Sequence, residues 1–350
     1  MAAHDLAALG PWIDAAFGRA PLAGPERVAG GQSNPTWFLT HGSARMVLRA
    51  KPIGPILPGA HAIEREFRVL SALHPAGLPV PRPIRLCEDP TVIGTPFYLM
   101  EQVDGRIFAD CSLPDLPRAE RAAIWMGLAE ALAALHRVDP AAVGLGDFGR
   151  PTGYFARQLA RWGAQRAAAR TPASPDLVAL EGWLQANLPP DDGRIALVHG
   201  DFRMGNMIFH PTEPRVVAIL DWELATLGHP LADLGFVVMP WHSAPEEYGG
   251  IAGLDLAAMG LPTEAAFLER HAAVAPAIGP PGAFHRAFAL YRFAVIFLGI
   301  AERARTGTAS DPKAHRLGPL AERFATRGLA AIADAGLSPA AAGRSPPTRR

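Results

Sequence analysis

From Leu197 to Leu234 the chain alternates apolar and polar blocks, LVHGDFRMGNMIFHPTEPRVVAILDWELATLGHPLADL. Two apolar runs, Met207 to Phe209 and Val216 to Leu220, flank a turn at His210 to Pro214, which predicts a β-hairpin. Before this hairpin, an apolar helical spacing covers Leu6 to Phe17, and Arg45 to Arg49 alternates as a strand. Ala60 to His74 is helical, with Ile63, Phe67, Leu70 and Leu73 on one face. Ile84 to Cys87 and Phe97 to Met100 read as further strands. Beyond Gly105 the pattern turns helical: Arg118 to His136, Tyr154 to Arg170, Leu177 to Leu188, Phe236 to Trp241, Ala283 to Arg305 and Pro312 to Ala335. The chain is therefore expected to be α+β: a peripheral helix within 1–21, a small antiparallel sheet lobe over 22–103, a larger mainly helical lobe over 104–335, and a disordered Pro/Ala/Arg-rich tail over 336–350.

Composition narrows the classes. Of 350 residues 49% are apolar, and 33 basic residues balance 33 acidic ones, so no net positive field draws the protein to nucleic acid or an anionic membrane. The most apolar stretch, Phe293 to Ala301, falls short of the roughly twenty residues of a membrane span. No basic segment followed by an apolar core opens the chain, and its two cysteines lack a C-x-x-C spacing. The expectation is a cytoplasmic protein that binds neither membrane nor nucleic acid, with a homodimer left open.

The chemistry sits on the hairpin. Asp201 and Asn206 are five apart in the loop that enters it, and Asp221 stands where its second strand ends. The hairpin should return Asp221 close to Asn206. Phosphoryl transfer needs one carboxylate to orient a hydroxyl and take its proton, and hard oxygen ligands to hold Mg2+ against the phosphates. Asp201 suits the first role; Asn206 and Asp221 suit the second, with Glu223 a weaker candidate for the same ion. His199 and Arg203, flanking Asp201, are grouped with it as catalytic candidates. A rival reading takes His199, Asp201, His210 and Asp221 as a hydrolase metal cluster, but it leaves Asn206 unexplained.

His199-Gly200-Asp201, Asn206, Asp221-Trp222-Glu223 and Gly228-His229-Pro230-Leu231-Ala232-Asp233 together resemble the aminoglycoside phosphotransferase and choline kinase family. In detail they are most similar to the kinase-like domains found fused to acyl-CoA dehydrogenases. The resemblance implies a two-lobed protein-kinase-like fold. It also implies transfer of the γ-phosphoryl group of ATP, or GTP, to a hydroxyl of a small acceptor: an aminoglycoside-like molecule, a hydroxyacyl-CoA or another hydroxylated metabolite. Gly30, Gly31 and Ser33 then become a phosphate-covering loop, and Glu101 to Gly105 the connection whose backbone holds the base, with Glu101 and Val103 as its candidates. Kinase-like folds carry a Lys on the third strand. Here Arg49 occupies that place with Lys51 two residues on, and Arg49 follows the apolar phase of Val47. Glu66 is the helical partner, with Glu64 the alternative. In the family Asp233 braces the catalytic loop. A nucleotide-binding scaffold without activity is the alternative, given the missing lysine.

Overall fold

The computed structural model describes residues 4–28, 34–54, 62–306 and 317–338. Gly30, Gly31 and Ser33 lie outside them, as does most of the C-terminal tail. By contact density the chain divides into two units: Met1–Ile107 with Val143–Leu145 and Asn206–Ala225, and a helical unit made of the rest.

In the N-terminal unit, α1 (Leu9–Phe17) precedes five strands: β1 (Leu22–Arg27), β2 (Thr36–His41), β3 (Ala44–Ala50), β4 (Pro83–Cys87) and β5 (Phe97–Glu101). They form one antiparallel sheet in the order β1-β2-β3-β5-β4. Strand periodicity sorts its faces. Trp37, Leu39, Met46, Leu48, Ala50, Phe97 and Leu99 pack in one cluster with Leu9 and Ile13 of α1. The intervening positions Val47, Arg49, Tyr98 and Met100 fall on the opposite face, and Arg49 sits directly across from Tyr98 in register. The helix α2 (Ile63–Leu73) buries Ile63, Glu66, Val69, Leu70 and Leu73. Glu66 is thus a carboxylate on the apolar stripe of its helix, a placement that demands partners.

The hairpin of β7 (Met207–Phe209) and β8 (Val216–Ile219) belongs to this unit, although the sequence reading put everything beyond residue 103 in the helical lobe. Backbone hydrogen bonding explains the difference. Arg106 and Phe209 exchange N–H···O bonds of 2.8 Å in both directions, and Ile219 N–H donates to the Pro79 carbonyl at 2.7 Å. The close approach needs a glycine: a Cβ on Gly105 would lie 2.2 Å from the Phe209 carbonyl oxygen.

The helical unit holds α3 (Arg118–His136), α4 (Tyr154–Ala168), α5 (Pro175–Ala186), the antiparallel pair β6 (Ala196–Val198) and β9 (Thr226–Gly228), α6 (Leu231–Val237), α7 (Leu256–Met259), α8 (Glu264–Val274), α9 (Ala283–Arg305) and α10 (Leu320–Asp334). Its core helix is α9, packed against α4, α5, α6 and α10. By length and composition α9 is apolar enough to cross a membrane, but 61% of its most apolar window is buried inside the protein. Arg286 and Arg292 interrupt its apolar runs, so no long continuous stretch marks it in the sequence.

Candidate active site

In the N-terminal unit the buried charges meet on the α2 face of the sheet. Arg49 Nε lies 2.8 Å from Glu66 Oε2, an ion-pair distance without the alignment of a hydrogen bond. Its Nη2 donates to Asp221 Oδ1 at 2.7 Å. Glu66, only 3% exposed at its side chain, also accepts from Asn34 Nδ2 at 2.6 Å and from the Tyr98 hydroxyl at 3.1 Å. A buried carboxylate with two hydrogen-bond donors and a guanidinium around it is an organised position rather than an accident of packing. Burial pushes Glu66 up to about 7, against the pull of Arg49 and with the help of the Asp221 and Glu223 charges. Burial works against the Arg49 charge too, but its anionic neighbours, Glu66 foremost, outweigh burial and raise its pKa. Lys51 is engaged elsewhere, paired with Glu64. The structure therefore groups Arg49 with Glu66, and Lys51 with Glu64.

The hairpin does return Asp221 to Asn206. Leu220 N–H donates to the Asn206 carbonyl at 2.8 Å, so Asp221 is one residue beyond the register partner of Asn206. Asp221 itself takes a left-handed backbone, φ 66° and ψ 65°, at the start of the 3-10 turn Trp222–Leu224. That turn is held by Trp222, 2% exposed, whose Nε1–H donates to the Ile219 carbonyl at 3.0 Å. Glu223 follows in the same turn, half-buried. Glu101 ends β5 and Val103 lies in the connection after it, both half-buried.

In the helical unit the loop after β6 is built around Asp233. This carboxylate, fully buried, accepts the backbone N–H of His199 at 2.7 Å and of Gly200 at 2.9 Å. Burial would raise Asp233, but His136, His199 and the Gly200 N–H outweigh it and hold the carboxyl below its ordinary range. His199 is fully buried, and its Nδ1 accepts the N–H of Asp201 at 3.1 Å. Although grouped above with the catalytic candidates, His199 is thereby tied into the loop it shapes. Arg203 Nε lies 3.2 Å from Asp201 Oδ2, and both side chains keep contact with solvent, at 42% and 22% exposure. Arg203, Met204 and Gly205 line a cavity of about 270 Å3 with Cys111, Trp125, Phe236, Tyr248 and Phe293.

The rival metal cluster does not form. Among the described residues, no group of three His, Cys, Asp or Glu could hold an ion. The Nδ1 of His210 accepts backbone N–H groups of its own turn, from Thr212 and Glu213. Mg2+ in phosphoryl transfer is held differently, by one or two protein oxygens plus waters and substrate phosphates. Asn206 and Asp221, an amide oxygen and a carboxylate on adjacent rungs of one ribbon, fit that demand.

Comparison with known proteins agrees with this layout. The model of the phosphotransferase enzyme family (APH) matches residues 25–288. The chain belongs to that family. This phosphotransferase is 53% identical over 206 residues to the acyl-CoA dehydrogenase family member 11 of Gallus gallus, which covers 59% of the chain and 26% of that protein. It is 42% identical over 302 residues to the acyl-CoA dehydrogenase family member 10 of Mus musculus, covering 84% of the chain and 28% of that protein. The chain thus spans about a quarter of the length of these relatives. A crystal structure of a putative aminoglycoside phosphotransferase from Ralstonia eutropha JMP134 superposes with a TM-score of 0.85 at 42% identity, covering 95% of this chain and 99% of that one. A thermostable mutant of the aminoglycoside phosphotransferase APH(4)-Ia, crystallised with AMP-PNP and hygromycin B, shares the fold at a TM-score of 0.60 and 16% identity, covering 92% of this chain and 99% of that one. The two-lobed α+β fold of these enzymes is the fold of this chain.

Two residues that touch Glu66 in the candidate site were not assigned that contact by sequence alone. Asn34 reads as one more turn residue after Ser33, and its bond to Glu66 depends on a contact 32 positions away. Tyr98 lies in an apolar strand; its phase with Arg49 was the available signal.

Proposed function

We propose that this phosphotransferase moves the γ-phosphoryl group of a nucleoside triphosphate, ATP or GTP, onto a hydroxyl of a small acceptor. One observation carries the reading: Arg49 is lodged between Glu66 and Asp221, with Asn206 on the neighbouring rung. That set supplies a fixed cation for phosphate oxygens and two oxygen ligands for the metal that accompanies them. Arginine in this place is bulkier than lysine but offers a planar fork suited to phosphate. Asn206 and Asp221, with Glu223 as a lesser contributor, would hold Mg2+, which when bound neutralises charge on the phosphates. Asp201 is the group that orients the acceptor hydroxyl and accepts its proton. The backbone around Glu101 and Val103 would receive the base, and Gly30, Gly31 and Ser33 would cover the phosphates.

For the acceptor, the cavity beside Arg203 favours one class. Its lining is mainly apolar and aromatic, and Arg203 is the charged side chain among the lining residues. A polycationic aminoglycoside would meet a guanidinium and no carboxylate among the lining residues, the nearby Asp201 being paired with Arg203. A hydroxylated acceptor with an apolar portion and an anionic group fits better. The test is Mg2+-dependent release of ADP or GDP across hydroxylated metabolites, acyl thioesters and aminoglycosides. Nucleotide binding without turnover on every acceptor and on water would favour the inactive scaffold instead. A preference for aminoglycosides would overturn the acceptor class alone.

A further inference from the structure

The loop that carries Asp201 is held at one remove by a pair of buried histidines. Asp233 clamps the N–H groups of His199 and Gly200. Behind it stands His136, 6% exposed at the end of α3, with Nε2 3.9 Å from Asp233 Oδ2. At that distance the contact is electrostatic, and His136 Nε2 makes no hydrogen bond. The other ring nitrogen, Nδ1, lies 3.1 Å from Nε2 of His271, which is 1% exposed on α8. The two rings meet edge to face, 72° apart. A hydrogen bond between two buried imidazoles puts a hydrogen on one of the two facing nitrogens and a lone pair on the other.

We propose that His271 is a positioning residue: by engaging Nδ1 of His136 it fixes the ring so that Nε2–H faces Asp233, and through Asp233 it sets the backbone of His199 and Gly200 that presents Asp201. The protons follow from the neighbours. Asp233 is anionic, so the nitrogen facing it carries hydrogen. Burial, and then the charge of His136, lowers His271 to about 3, so His271 stays neutral at ordinary pH. It then donates to Nδ1 of a neutral His136 and accepts from a protonated one. In both states Nε2–H of His136 points at Asp233. Without His271, Nδ1 has lost its partner in an apolar interior. The ring is then free to turn or change tautomer, and Asp233 loses the N–H that faces it. Partners that orient a metal-ligating ring are worth about ten- to a hundred-fold when removed, and the lower end of that range is the effect expected for His271.

The rate effect rests on the phosphoryl-transfer reading, whereas the effect on the loop does not. The experiment compares His271→Leu with His271→Gln, the latter keeping a polar atom near the place of Nε2. Three quantities are measured: 15N shifts of the His136 ring, amide hydrogen exchange at His199 and Gly200, and turnover with MgATP. In the wild type His136 should show a protonated Nε2 and a hydrogen-bonded Nδ1. His271→Leu should abolish that signature, speed exchange at both amides about ten-fold, and lower kcat about ten-fold with the nucleotide KM unchanged. His271→Gln should restore most of all three. An unchanged His136 signature or unchanged exchange in a folded His271→Leu protein overturns the proposal, as does an equal loss in both variants. If the wild type turns over no acceptor, the functional reading fails while spectra and exchange still decide the role of His271.

Discussion

Replacing Arg49 with Ala should destabilise the protein by an amount that grows with pH. Arg49 is 14% exposed and faces Glu66, which is 3% exposed. Breaking a buried pair costs roughly 3–5 kcal/mol when the remaining charge stays uncompensated. Glu66 has an escape, because it can take up a proton. Holding a carboxyl protonated costs about 1.4 kcal/mol for each pH unit above its unfolded value. From the ordinary value of 4.5 up to pH 7.5 that is about 4 kcal/mol, so the two routes reach the same size near neutrality. Glu66 is raised in the folded wild type, so the folded protein holds this proton more tightly than the unfolded chain. Its stabilising share is full below 4.5 and declines as pH rises through the window that closes near 7. Arg49 is what pulls that upper limit down. In Arg49→Ala the window extends upward, and the difference from wild type should be small near pH 5 and steepen above 7 by up to about 1.4 kcal/mol per unit. Urea unfolding followed by tryptophan fluorescence at roughly pH 5, 6, 7 and 8 measures it. The double variant Arg49→Ala/Glu66→Gln should flatten the dependence. A difference constant with pH, or larger at pH 5 than at pH 8, would refute the reasoning.

Two kinetic outcomes follow from the same layout. Asp201→Asn should lower kcat by roughly 10²–10⁴ while nucleotide affinity by calorimetry is kept, since the amide cannot accept the hydroxyl proton; wild-type turnover would remove Asp201 from that role. Arg49→Ala should raise the KM for nucleotide by ten-fold or more, on the order of 1.5–3 kcal/mol for a charge-assisted contact, with Lys51→Ala nearly silent because Lys51 pairs with Glu64. A larger defect from Lys51→Ala would move the phosphate-holding role.

Much of this was legible along the chain because the periodicity was strong. Arg118–His136 and Ala283–Arg305 form helices over the residues their apolar spacing marks. The choice of Arg49 over Lys51 as the partner of Glu66 followed from strand phase, and the register of Arg49 with Tyr98 gives the reason. Less legible were features that only tertiary contacts create. The pair β6–β9 joins two three-residue segments too short to announce themselves. His136 ends a predicted helix, and nothing near it in sequence points to His271, 135 positions on. Buried polar networks have no period; they are found by asking what each buried charge touches.

Asp221 shows why the inactive-scaffold reading is the weaker one. Its φ of 66° puts a residue with a side chain in the left-handed region, which costs about 1–2 kcal/mol for an ordinary L-residue and less for Asp. Strain of this kind persists only where the surroundings impose it, and here it falls on the residue whose carboxylate accepts from Arg49. If the backbone is imposed, Asp221→Gly and Asp221→Ala lose the same carboxylate and the same bond from Arg49 but differ in strain. Gly escapes the left-handed penalty and forfeits roughly 0.5–1 kcal/mol of chain entropy, so Asp221→Gly should be the more stable by up to about 1.5 kcal/mol. Both should lose Mg2+-dependent nucleotide affinity alike, while Asp221→Asn should keep the turn and lose most of the metal dependence. Urea midpoints and calorimetry of MgATP binding separate these outcomes. An alanine variant as stable as the glycine one would mean that the turn relaxes. Wild-type MgATP affinity in either would mean that the strain serves something other than the metal.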